Sequence, residues 1–196
     1  TVVPTSAWLL RHPCRATLAV HLTLAQHNLF MSSAQQLPIK IGVLGGSGLY
    51  ELEGLTNQEE IQLSTPYGEP SDAFLTGQLD GIDVVFLPRH GRGHRVNPSE
   101  INFRANIWGL KRLGVTHVLS VSAVGSLRED IVPGHFVVID QFIDRTRHRP
   151  DTFFEDGIVA HVMFADPVCS SLRASLLEAC AEVELTVHDG GTYVNM

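Results

Sequence analysis

The chain has 196 residues, of which 44% are hydrophobic and 18% charged, with a formal net charge of -7. These values suit a soluble globular fold with a core of ordinary size and argue against disorder, a coiled coil or a nucleic-acid partner, since a binder of the nucleic-acid backbone needs surplus Lys and Arg. The cysteines, Cys14, Cys169 and Cys180, share no spacing that metal ligation or a redox pair would use, which fits a reducing cytoplasm.

The opening stretch differs in kind from the rest, because the first acidic residue is Glu51. Residues 16–30 are fairly apolar, yet His21, Gln26, His27 and Asn28 make them too polar and too short for a membrane span. Arg11 and Arg15 imitate a targeting peptide, but no small-residue cleavage site follows. Met31 is the natural start, so residues 1–37 are expected to be an N-terminal extension, disordered or not native, ahead of one domain over 38–196.

From residue 39 onward short β-branched runs alternate with helical stretches, the form of an α/β fold. Residues 39–44 read as a buried strand running into Gly45-Gly46-Ser47-Gly48, a turn for residues that tolerate positive φ. A second strand, 84–87, follows the turn at Asp80-Gly81 and stops at Pro88, just before Arg89-His90-Gly91. Asn97, Pro98 and Glu100 form a helix-start signal with a capping box, for a helix reaching about Leu113 and closed by Gly114. Ile101, Ala105, Trp108 and Arg112 fall on one stripe of that helix. A third strand, 115–121, ends in Ser122-Ala123-Val124-Gly125 and completes a parallel, right-handed βαβ unit. A fourth strand at 135–140, a polar loop at 145–150, a helix near 167–183 and a last strand follow. No repeat, linker or low-complexity tract marks a second domain. The expected fold is therefore a single-domain α/β structure.

Gly45 to Gly48, Arg89-His90 and Ser122 to Gly125 all stand at carboxyl ends of strands, where open α/β sheets bind ligands. Backbone N–H groups of a glycine turn, the planar fork of Arg89 and the hydroxyls of Ser47 and Ser122 together describe a site for a small phosphate. Taken alone, Arg89 serves equally as a surface ion-pair partner and Ser122 as a helix cap. The run from Gly46 lacks the last glycine of a dinucleotide fingerprint, and the run from Gly45 lacks the closing glycine of a hydrolase elbow. His90 and His94 have an i, i+4 spacing but not the H-E-x-x-H arrangement, so no metal is expected.

The runs Ile-Gly-Val-Leu-Gly-Gly-Ser-Gly-Leu (41–49), Thr-Pro-Tyr-Gly-Glu-Pro-Ser (65–71), Arg-His-Gly-Arg-Gly-His (89–94) and Asn-Phe-Arg-Ala-Asn-Ile-Trp-Gly-Leu-Lys (102–111) occur in order. Ser-Ala-Val-Gly-Ser-Leu-Arg-Glu-Asp (122–130) and Ile-Asp-Gln-Phe-Ile-Asp-Arg-Thr (139–146) follow. In order and spacing this set resembles the methylthioadenosine phosphorylases of the purine-nucleoside phosphorylase family, and 140–150 looks more like the methylthioadenosine branch than the inosine/guanosine branch. The resemblance implies a nucleoside-phosphorylase-like fold, a central mixed β-sheet flanked by helices and incomplete in 196 residues, and phosphorolysis of a nucleoside, with inorganic phosphate as co-substrate, no cofactor and no metal. It implies that Ser47, Arg89, His90, Ser122 and Ala123 bind phosphate and that His94, Ala123, Val124, Gly125 and His161 contact substrate. His161 would do so from a neighbouring subunit of a homotrimer; as a bare loop histidine it would instead bond backbone.

Two departures matter. A Glu-Gly-Pro segment, a Met-Thr pair and two purine-binding Asp residues of the family would lie beyond Met196, so no leaving-group residue is assigned and the 196-residue chain alone is expected to be inactive or poorly folded. Val124 stands where animal members often have Cys, which leaves base preference open between methylthioadenosine and inosine, guanosine or methylthioinosine. A non-catalytic phosphate or nucleoside binder is the remaining alternative.

Overall fold

A computed structural model describes residues 38–46 and 53–196; the expected extension at 1–37 and the turn residue Ser47 lie outside them. The described residues fall into two compact units, one taking in the chain up to Ala123 with Arg149–Ile158, the other Val124–His148 with Val159–Met196.

The first unit is built on a five-stranded sheet of β1 (Lys40–Gly45), β2 (Thr56–Ile61), β3 (Phe74–Leu79), β4 (Ile82–Pro88) and β5 (His117–Ser120), in the order β2-β3-β4-β1-β5. The sheet is mixed: β2, β3 and β4 form an antiparallel meander, while β1 runs parallel to both β4 and β5. β3 and β4 are joined through Asp80 and Gly81 at φ 49° and 79°, the left-handed pair that a two-residue hairpin requires. The sequence marks that turn and the strand after it but not β3 before it, and nothing in it marks β2, whose residues Thr56 to Glu60 are all exposed.

Helix α1 (Phe103–Arg112) begins later than the signal at Asn97 predicts. The capping-box bonds do form: Asn97 Oδ1 accepts from the backbone N–H of Ser99 (2.8 Å) and Glu100 (3.2 Å), and Glu100 Oε2 accepts from Asn97 N–H (3.3 Å). They close only a turn, because Ile101 is buried and Asn102 then supplies the helix cap, its Oδ1 accepting from Ala105 N–H at 3.1 Å. The buried face of α1 is Ala105, Asn106, Gly109 and Leu110, shifted from the predicted stripe; Arg112 is exposed and Trp108 half-buried. Hydrophobicity alone misplaces the stripe, since Gly109 and Asn106 face inward for reasons of space and hydrogen bonding.

At the far end Gly114 adopts φ 80°, its N–H bonding Lys111 O, while Val115 N–H bonds Leu110 O. That pair of bonds defines a Schellman cap, and its customary hydrophobic contact is met by Val115 and Leu110 in one buried cluster with Phe74, Val85 and Leu87. Val85 and Leu87 alternate with Val84 and Phe86, which are equally buried, so β4 is apolar on both faces as a central strand should be.

In the second unit β6 (Phe136–Val138) pairs in parallel with β8 (Val187–Asp189), and β7 (Gln141–Asp144) with β9 (Thr192–Asn195). The single last strand expected from sequence is thus two, broken at Gly190-Gly191, where Asp140 Oδ1 accepts the Gly191 N–H at 3.0 Å. Helix α2 (Ser170–Glu182) packs on β6 and β8, and Arg173 reaches Asp189 from it.

Candidate active site

The parallel register puts three strand ends at one level. Gly45 of β1 lies opposite Pro88 of β4, and Leu44 opposite Ser120 of β5. The ladder continues one residue further on each side, with Arg89 N–H donating to Gly45 O (3.1 Å) and Val121 N–H to Leu44 O (2.9 Å). Arg89 and the Ser122-Ala123 turn therefore flank the end of β1. The side chain of Arg89 links them directly: a guanidinium N–H donates to Val121 O at 2.7 Å, orienting the planar group along the rim.

Beyond Arg89 the backbone curls into a tight loop. Gly91, Gly93 and His94 take φ of 68°, 74° and 55°, a concentration of left-handed residues that is unfavourable for His94. Bonds from Gly91 N–H to Pro88 O, His94 N–H to Gly91 O and Val96 N–H to His90 O hold the curl. The His90 ring turns back on the same residue, Nδ1 lying 3.0 Å from Val96 O. A carbonyl can only accept, so Nδ1 carries the proton and Nε2 of the neutral ring is an acceptor. The His94 ring stacks on His90, centroids 5.2 Å apart and planes 10° from parallel.

This loop is braced from the segment before β3, a feature that the sequence reading missed. Asp72 Oδ2 accepts the Arg92 N–H at 2.7 Å and lies 3.4 Å from the Arg95 guanidinium, and Oδ1 accepts its neighbour Ala73 N–H at 2.8 Å. Burial pushes the Asp72 carboxyl up, but the N–H groups of Arg92 and Ala73 and the charges of Arg95 and Arg92 outweigh it and hold the group below the ordinary aspartate value. Ser71 is in turn clamped by Asn106 of α1, whose Oδ1 accepts Ser71 N–H (2.8 Å) and whose Nδ2 donates to Ser71 Oγ (2.9 Å). An asparagine among apolar positions of a helix signals such a bond, because a buried amide must find partners. A second brace joins Asn102 Nδ2 to Tyr67 O at 2.7 Å, with the Arg104 guanidinium 5.1 Å over the Tyr67 ring and 2.6 Å from Glu155.

The predicted residues thus divide. Arg89, His90, His94, Ser122 and Ala123 belong to one unit, and the structure brings Arg89 against the chain at Val121, next to Ser122. Val124, Gly125 and His161 belong to the other unit and are exposed, and Ser47 is outside the described residues. Among the described residues no group of three or more His, Cys, Asp or Glu is arranged to hold a metal, and no helix is long and apolar enough to cross a membrane.

Residues 40–196 match the phosphorylase superfamily, and the chain belongs to it. Within that class, methylthioadenosine phosphorylases are among the proteins it is similar to. The S-methyl-5'-thioadenosine phosphorylases of Geobacter sulfurreducens and Thermosynechococcus vestitus are 63% and 59% identical to it, each over 80% of this chain and 55% of their own length. Among solved structures, a methylthioadenosine phosphorylase from an antarctic soil metagenomic library superimposes with a TM-score of 0.77 at 48% identity, covering 81% of this chain and 56% of that one. The methylthioadenosine phosphorylase of Schistosoma mansoni in complex with adenine gives 0.75 at 38% identity, over 81% and 65%. The expected α/β fold with a mixed sheet is therefore the nucleoside-phosphorylase fold, and the chain spans about half the length of the curated relatives it matches.

Proposed function

We propose that the protein carries out phosphorolysis of 5'-methylthioadenosine, yielding adenine and 5-methylthioribose 1-phosphate. The observation that carries this reading is the Arg89–Val121 bond, which ties the ends of β4 and β5 together across β1 and sets a guanidinium on a rim of small residues. Such a rim suits a small oxyanion: Arg89 offers a fork to phosphate oxygens, and His90 Nε2 accepts a phosphate hydroxyl or, when the ring is protonated, donates to an unprotonated oxygen. The names of relatives at 59–63% identity support the choice of nucleoside.

In the proposed reaction a phosphate oxygen forms a bond to C1′ of the ribose as the C1′–N9 bond breaks, with inversion, and the purine leaves with a proton. Holding phosphate next to C1′ accounts for part of the acceleration, an approximation effect of up to about 7–11 kcal/mol. Arg89, His90 and the Ser122-Ala123 turn have that task, with Ser47 as a further hydroxyl. His94, Val124 and Gly125 would contact the nucleoside, and residues 38–196 would form the N-terminal part of the domain. We also propose a cytoplasmic homotrimer in which His161 reaches the 5′ substituent in a neighbouring subunit, with phosphate as co-substrate and no cofactor.

The complete gene product should consume methylthioadenosine only when phosphate is present. Equal turnover without phosphate would mean a hydrolase and would overturn the reading. Arg89→Lys should lower kcat/KM for phosphate by about tenfold or more, because one ammonium does not replace the two-point fork.

A further inference from the structure

Once Arg89 and His90 are read as phosphate ligands, the loop that carries them has to keep a conformation that is unfavourable at His94. Gly91, Gly93 and His94 are all left-handed, and the bonds from His94 N–H to Gly91 O and from Val96 N–H to His90 O run between residues that would move together. An anchor outside the loop is needed, and the backbone of its middle has one in the bond from Arg92 N–H to Asp72, at 2.7 Å. Arg92 is two residues from His90. A further tie at the same residue is the ion pair of the Arg92 side chain with Glu60 at 2.7 Å, between groups 46% and 55% exposed, where solvent and rotamer freedom leave little net attraction.

We propose that Asp72 is a positioning residue for phosphate, fixing the 89–96 loop so that Arg89 and His90 are presented together; this rests on the functional reading above. The anchor is rigid because of what stands behind it. Asp72 follows Ser71, which is 7% exposed and held at two points by Asn106, itself 1% exposed on α1. A continuous path of short bonds thus runs from the helix through Asn106, Ser71 and Asp72 to Arg92. Both carboxylate oxygens are engaged, Oδ1 with Ala73 N–H and Oδ2 with Arg92 N–H, and Arg95 adds a charge to the same side chain. An asparagine offers one oxygen and one NH2 group, so Asp72→Asn must give up one of the two N–H groups and the Arg95 attraction together, with almost no change in volume.

The test uses the complete protein, with KM for phosphate and for methylthioadenosine measured separately and the thermal midpoint recorded for each variant. Asp72→Asn should raise the phosphate KM about tenfold while leaving the nucleoside KM within about twofold, as expected from the loss of one charge-assisted bond. Arg95→Gln should shift the phosphate KM in the same direction by a smaller factor, and it keeps the test decisive if Asp72→Asn does not fold. Glu60→Gln should behave as wild type. A phosphate KM unchanged in both Asp72→Asn and Arg95→Gln overturns the positioning role, and so does a parallel rise of both KM values with a large fall in midpoint, which would mark general loosening. Phosphate-independent turnover by the wild type would overturn the functional reading itself, whereas phosphate-dependent turnover with an unaltered phosphate KM in both variants overturns only this inference.

Discussion

Replacing Gly109 by alanine sets two effects of opposite sign against each other. In a helix interior the change removes the entropic cost of glycine and should stabilise by about 1 kcal/mol. The new Cβ, however, would stand 2.3 Å from Phe74 Cζ and 2.7 Å from Cε2, the first of these more than an ångström inside the about 3.5 Å at which carbons touch. The ring has nowhere to go, being fully buried among Val85, Leu87, Leu110 and Val115. Overpacking of this kind costs about 1–3 kcal/mol or more, and with so deep an overlap the upper end applies, so a net loss of about 2 kcal/mol is expected. That corresponds to a midpoint lowered by about 4–8 °C. Urea unfolding with an unchanged m-value would measure it. Adding Phe74→Leu should recover about 1–2 kcal/mol relative to additivity, because the shorter side chain vacates the space that the methyl needs. A Gly109→Ala protein as stable as wild type, or additive behaviour in the double variant, would refute the packing argument.

Asn102→Ala should cost about 1–2 kcal/mol, since it removes the cap on Ala105 N–H along with the bond to Tyr67 O; Asn102→Asp keeps the cap and should fall between, as chemical denaturation would show. Asp72 titrates below its ordinary value in the folded protein, so its stabilising contribution is complete above the unfolded value of about 3.9 and fades as pH falls through the lower folded value. The stability gap between wild type and Asp72→Asn should accordingly shrink below about pH 4; a gap that widens in acid would contradict the assignment. The exposed Cys169 thiol is pulled down by a hydrogen bond with Ser171 and by the N–H of Leu172, whereas burial pushes the half-buried Cys180 thiol up. Iodoacetamide should therefore alkylate Cys169 before Cys180, which peptide mapping after a brief exposure would read.

How much was legible in the sequence follows from which signals were local. The strands at 40–45 and 82–88 hold the apolar runs 41–44 and 84–87, ended by glycine or proline, and helix α2 announces itself by length and by Pro167. β2 could not be read that way, because Thr-Asn-Gln-Glu-Glu-Ile is a polar edge strand specified by its partner β3 and not by its own pattern. β3 had a usable signal in Asp80-Gly81, a hairpin turn that demands a strand on each side. The late start of α1 shows a capping signal overruled by burial of Ile101 just after it. For the site, Arg89 and His90 stand out as polar residues at a strand's end, but Asp72 lies 17–20 residues upstream of the loop it braces and gives no sign of it in one dimension. Asn106 did give a sign, an amide among core positions.

The position of β1 between β4 and β5 bears on how the protein is made. β1 is the earliest strand in the sheet, yet the residues it pairs with at Asp83 and His117 lie far downstream, and its edge bond from Lys40 to Thr116 spans 76 residues. During synthesis it must wait with both edges unsatisfied while the β2–β4 meander, whose contacts are near in sequence, can form on its own. Closure of the sheet, and with it the assembly of Arg89 beside Val121, is therefore a late event set by the arrival of β5.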